Sequence, residues 1–135
     1  MATPQKLRRI TEIALVVNAI AHGMGTVGMA TGFGRHAAGE PFMARRAAAA
    51  GLAGIIMMLF VSRRLARDAA LIALPIAFVF FNLTVSGIDL AVTGDLENLP
   101  PALFETTFLA IYCIFALTEF RPSSGAAPPA PTSWP

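Results

Sequence analysis

Four long apolar stretches dominate this chain and leave it few folds. They run from about Ile10 to Phe33, Ala47 to Val61, Ala69 to Val92 and Ala102 to Phe120. A helix needs about 20 apolar residues to cross about 30 Å of hydrocarbon at about 1.5 Å per residue. The first, third and fourth stretches meet that length, and the second does so once Met43, Ala44 and the stems of Arg45 and Arg46 extend it by snorkelling. All four exceed strand length and lack period-two alternation. Short connections predict antiparallel neighbours, so the expected architecture is an all-α, integral membrane four-helix up-down bundle. Its helices are expected over about 10–33, 43–62, 69–93 and 100–120, after a cytoplasmic segment 1–9.

Composition agrees. Of 135 residues, 56% are hydrophobic and only 13% are charged, where a soluble domain carries about 25% charged residues. A water-soluble globule of this size cannot hide that much apolar surface, which excludes an ordinary soluble enzyme. The net charge is +2, but the basic residues sit in small clusters between apolar runs rather than in one patch, so nucleic acid is not an expected partner. Cys113 is the single cysteine, which excludes an intrachain disulfide and a cysteine-based metal site. Nine arginines against one lysine, with abundant alanine, fit a high-GC bacterial genome.

The first stretch has a rival reading as a signal peptide, with Lys6, Arg8 and Arg9 before it and Ala19-Ile20-Ala21 as a small-residue site. Glu12 and Asn18 leave too short an apolar core between them for that reading. Basic residues set the orientation: Lys6, Arg8, Arg9, Arg63, Arg64, Arg67 and Arg121 share one side, seven against the three of Arg35, Arg45 and Arg46. By the positive-inside bias both termini are cytoplasmic and the protein lies in the bacterial inner (plasma) membrane. Residues 121–135 are Pro/Ala-rich without apolar periodicity and are expected to form a disordered cytoplasmic tail, with Trp134 an isolated aromatic in it.

Projection at about 100° per residue separates two faces on the helices. On the first, Asn18, His22, Gly25, Thr26, Met29 and Gly32 oppose Ile13, Val16, Val17, Ile20, Met24 and Val27. On the third, Asn82, Ser86, Asp89 and Thr93 share a side with Pro75, where a kink is expected. On the fourth, Glu105, Tyr112, Ala116 and Glu119 align, and the second helix has no polar stripe. Gly28-x-x-x-Gly32, Ala47-x-x-x-Gly51 and Ala50-x-x-x-Gly54 provide small surfaces for close helix approach. By helical rise His22, Asn82 and Tyr112 fall near mid-membrane, with Asp89 and Glu105 about 10 Å further out. Glu12 and Glu119 lie near the cytoplasmic ends, beside arginines, as interfacial ion pairs.

An ionised carboxylate inside a bilayer costs about 2.5–3.5 kcal/mol, so it faces a partner or water. Asp89, Glu105, His22, Asn82, Asn18, Ser86 and Tyr112 are therefore the candidate ligand- or proton-binding residues. Two acids at one level share a proton or cation, with His22 as relay; the plainer role for all seven is hydrogen bonding from helix to helix. No metal-ligand spacing, nucleophile elbow or phosphate loop occurs, so no catalytic residues, metal or cofactor are expected. His36 falls in the outer loop, Met57-Met58 reads as packing, and Cys113 as a small buried hydrophobe.

The layout resembles the small four-helix bacterial membrane proteins of the DoxX-like kind and related uncharacterised families. The likeness covers about residues 8–120: Gly32-Phe33-Gly34 closing the first helix, Ala44-Arg45-Arg46 opening a short second, the basic turn Ser62-Arg63-Arg64, and Asp89 late in the third. It implies a multi-pass membrane protein. The expected function is an outward-facing polar cavity for proton- or cation-coupled binding or transport of a small molecule. The alternatives are a non-catalytic scaffold or accessory subunit of a larger membrane complex, and, third, an intramembrane enzyme. Expected partners are the lipid bilayer and a homo-oligomer or larger complex; the sequence names no ligand.

Overall fold

The computed structural model describes residues 4–31, 41–94, 96 and 99–120, with side chains described at 4–27, 47–94, 96 and 99–120. The loop with Arg35 and His36, residues Asp95 and Glu97, and the tail with Arg121 and Trp134 lie outside the described residues. So do the side chains of Gly28-x-x-x-Gly32, Met29, Arg45 and Arg46.

Among the described residues there are four α-helices and no strand: α1 (Pro4–Thr31), α2 (Pro41–Arg64), α3 (Ala73–Thr93) and α4 (Leu99–Glu119). Each contains a segment long and apolar enough to cross a membrane. Prolines mark the starts. Pro4 and Pro41 open α1 and α2, Pro75 is the third residue of α3, and Pro100 and Pro101 follow Leu99 in α4. First-turn N–H groups have no intrahelical acceptor, so proline gives up nothing there and presets φ.

Pro75 therefore behaves differently from the kink expected of it. Asp68 accepts the Ala70 N–H at 3.1 Å and caps a short 3-10 turn over Ala69–Ile72. The α-helix then begins afresh at Ala73, which puts Pro75 in a first turn. At the far end Gly94 takes φ 70°, and its N–H returns to the Leu90 carbonyl at 2.9 Å. This left-handed cap is open to glycine at little cost.

The helices pack in a ring, each against its neighbours in the chain and α1 also against α4, with α1 and α2 in the most extensive contact. Arg8 meets Glu119, Asn18 meets Tyr112, and His22 meets Glu105, so α1 and α4 run antiparallel. Gly23 faces Ile55 and Thr26 faces Gly51, so α1 and α2 do too. On α4 the inward positions are Glu105, Phe108, Tyr112, Phe115 and Glu119, spaced alternately three and four apart. On α1 they are Arg8, Thr11, Leu15, Asn18 and His22, with the same spacing. That alternation is the seam of a near-parallel helix pair.

Burial is uneven along this ring. The sealed residues are Thr11, Ala14, Leu15, Asn18 and Ala19 on α1, Met58 and Val61 on α2, and Leu65 just past it. Ile72, Pro75 and Val79 join them from α3 and its lead-in, and Phe108, Tyr112 and Phe115 from α4. All lie towards the end where α1 begins. Beyond the level of His22 and Glu105, only Ala48 and Gly54 on α2 are buried among the described residues. The outer surface is apolar: Ile13, Val16, Val17, Ile20, Met24 and Val27 on α1 are all exposed, as are Phe80 and Phe81 on α3 and Leu117 on α4.

Arg8 and Glu119 form a 3.2 Å ion pair at the closed end, with 34% and 22% of their side chains exposed. Pairs this open contribute at most about 1 kcal/mol. Arg8→Met is accordingly expected to shift detergent-denaturation stability by less than about 1 kcal/mol, read as the midpoint of a circular-dichroism titration.

Candidate functional site

The α1–α4 seam carries polar residues at three levels. Along α1 these are residues 8, 18 and 22, about 21 Å from first to last at about 1.5 Å per residue. The middle level is closed: Asn18 and Tyr112 are both fully buried, and Asn18 Nδ2 donates to the Tyr112 hydroxyl at 3.3 Å. Asn18 Oδ1 remains without a partner. Below it, Leu15, Val61, Leu65 and Phe115, none of them exposed, fill the interior with apolar side chains.

One turn above Asn18, His22 Nε2 lies 3.5 Å from Glu105 Oε1, with side-chain exposures of 19% and 16%. The geometry falls short of an aligned hydrogen bond, and both His22 Nε2 and Glu105 Oε2 are buried without a hydrogen-bond partner. Phe78 of α3 sets its ring edge-on to the imidazole, with centroids 5.3 Å apart and planes at 68°. Phe78 is held in turn by Gly54 of α2, since a Cβ at Gly54 would overlap the Phe78 ring. Four helices thus position one imidazole–carboxylate pair.

The next turn of α1 brings Thr26. Helical threonines satisfy their hydroxyl on the carbonyl four residues back, and Thr11, Thr84, Thr93, Thr106, Thr107 and Thr118 all do so. Thr26 does not. Its buried Oγ1 has no partner and occupies the space where a Cβ on Gly51 would stand. Asn82 lies one turn beyond Phe78 on the same face of α3, and its Nδ2 is also buried and unpartnered.

Leaving a buried polar group unpaired costs about 1–3 kcal/mol. Five such atoms occur at or beside this level: Asn18 Oδ1, His22 Nε2, Thr26 Oγ1, Asn82 Nδ2 and Glu105 Oε2. They include acceptors and a donor, a combination suited to water or a protonated group. Proton exchange between His22 and Glu105 needs only a slight approach or one bridging water.

Of the residues singled out from sequence, the structure brings Asn18 to Tyr112 and His22 to Glu105. Glu105 reaches His22 itself rather than a level further out. Asn82 and Ser86 are half-buried on α3, whereas Asp89 is exposed, its backbone carbonyl accepting the Thr93 hydroxyl at 2.8 Å. Among the described residues no group of three or more His, Cys, Asp or Glu side chains could hold a metal ion. Sequence reasoning missed Phe78 as the wall of the site. The i, i+4 spacing of Phe78 and Asn82, which puts an aromatic on the polar face of α3, was the signal for it. No known protein family, curated protein or solved structure matches this chain.

Proposed function

We propose that this chain is a multi-pass membrane protein, an up-down bundle like the DoxX-like layout it resembles, whose open half binds a proton or cationic group at His22 and Glu105. The antiparallel pairing of α1 with both α2 and α4 supports the up-down reading. An apolar exterior around a partly polar interior is the arrangement a bilayer demands. The observation that carries the site is the 3.5 Å approach of His22 Nε2 to Glu105 Oε1, with the other Glu105 oxygen buried and unpartnered. An ionisable pair at this depth is costly to keep for structure alone. The apolar plug at Leu15 and Phe115 closes the bundle on the side of the termini, which suits binding or alternating access better than an open pore. By the basic-residue count the site is reached from outside a bacterial plasma membrane, with both termini cytoplasmic.

The scaffold alternative rests on Asp89, whose exposed place on α3 suits contact with a neighbouring helix. Gly51 and Gly54 speak against it, because Thr26 and Phe78 of this same chain occupy their faces.

Infrared titration of the protein in lipid vesicles tests the proposal. All eight Asp and Glu carboxyls absorb when protonated, so the readout is the component that each substitution removes. The wild-type minus Glu105→Gln difference is expected to contain a C=O band that titrates with pH, and that band is expected to move in His22→Gln and to stay in place in Asp89→Asn. A Glu105 band that does not titrate, or that is indifferent to His22→Gln, removes the site.

A further inference from the structure

The outer surface of α2 carries a second feature, which ends at the closed end of the bundle. Leu52, Ile56, Phe60 and Arg64 follow one another at intervals of four along α2, so they form a single stripe up the outside of the helix. The three apolar members are 52%, 61% and 47% exposed. The stripe ends with the Arg64 guanidinium drawn back over the Phe60 ring, Cζ 5.0 Å from its centroid. Folding back over the ring one turn below holds the charge against the apolar stripe rather than out in solvent. A phenyl ring accepts no N–H in an ion pair, so the guanidinium over it keeps donors for the fork that fits a phosphate.

Two more arginines join it. Arg63 is the adjacent residue, and the turn after α2 fixes Arg67 close by, because the Arg64 carbonyl accepts the N–H groups of Arg67 at 2.8 Å and Asp68 at 3.0 Å. All three arginines are exposed, and none has an ion-pair partner among the described residues. Asp68 is the acid nearest in sequence, and its carboxylate is engaged by the Ala70 N–H. Three exposed arginines gathered at the end of an exposed apolar track, one of them seated on it, match one kind of molecule, with an anionic phosphate at one end and acyl chains below it.

We infer that Arg63, Arg64 and Arg67, with Phe60, Ile56 and Leu52 beneath them, form a binding site for an anionic phospholipid such as phosphatidylglycerol. The phosphodiester sits against the arginine edges, and one acyl chain runs along the Leu52–Ile56–Phe60 stripe. The inference rests on the membrane reading and is independent of the His22–Glu105 site. Each arginine near an anionic lipid surface adds roughly a fivefold factor in affinity, so three supply about a hundredfold.

The test is native mass spectrometry of the full chain released from detergent micelles doped with phosphatidylglycerol or phosphatidylcholine. The wild type is expected to retain phosphatidylglycerol in preference to phosphatidylcholine. Arg64→Gln is expected to weaken that retention about fivefold, and replacing all three arginines by glutamine about a hundredfold. Glu105→Gln is expected to leave it unchanged, which separates failure here from failure of the polar site. Raising salt during incubation provides a second measurement that needs no variant, and should release phosphatidylglycerol from the wild type. Equal retention of the two lipids, unchanged retention in Arg64→Gln, or indifference to salt would overturn the assignment. Displacement by millimolar glycerol 3-phosphate would also overturn it, showing a soluble phosphate site instead.

Discussion

Truncating Phe115 to alanine is expected to lower the stability of the bundle by about 2–3 kcal/mol. The ring is fully buried between α1 and the other helices at the closed end. In a soluble protein Phe→Ala costs about 3–5 kcal/mol, part of it from losing transfer out of water. On the proposed membrane reading the unfolded helix keeps that ring in lipid, so the transfer part largely vanishes and packing remains. About 100 Å³ of removed volume at about 24 cal/mol per Å³ leaves the smaller figure. Leu117→Ala, at a position 74% exposed, serves as control and should be near neutral. Denaturation in mixed micelles followed by circular dichroism measures both. Equal losses at the two positions would show that the helices do not pack as described.

A leucine at Gly54 is the second large perturbation, expected to cost about 1–3 kcal/mol from overpacking. Its Cβ alone would overlap the Phe78 ring, which is itself packed on His22. The ring has to swing, and the imidazole then loses its wall. Gly54→Ala should show a milder form of the same defect, and Phe78→Leu in that background should recover much of the loss by emptying the contested space. The double-mutant cycle reads this directly. Additive losses would mean that Gly54 and Phe78 do not touch.

Much of this was legible before any coordinates, and the reasons differ by residue. The apolar wheel positions of α1, from Ile13 to Val27, are the exposed ones because hydrophobic periodicity records which side turns away from the neighbouring helices. Asn18, His22, Glu105 and Tyr112 share the opposite faces for the same reason. What periodicity cannot give is the relative height of two helices. Glu105 was therefore placed beside Asp89 by counting residues, although its flexible side chain reaches His22. Pro75 differs from the expectation because the effect of a proline depends on where a helix begins, and Asp68 caps the 3-10 turn that precedes that start. Small-residue pairs such as Ala50-x-x-x-Gly54 are too common in an alanine-rich chain to be informative until a partner like Phe78 is seen against them.

The lopsided distribution of buried residues has a mechanical consequence. Among the described residues the buried apolar side chains of all four helices gather around Leu15 and Phe115, which makes that end the stiff root of the bundle. Segments with few buried contacts open at low free energy while the rest stays intact. The binding proposed for the imidazole and carboxylate would then take place beyond Tyr112, with the arginine-bearing base staying anchored throughout.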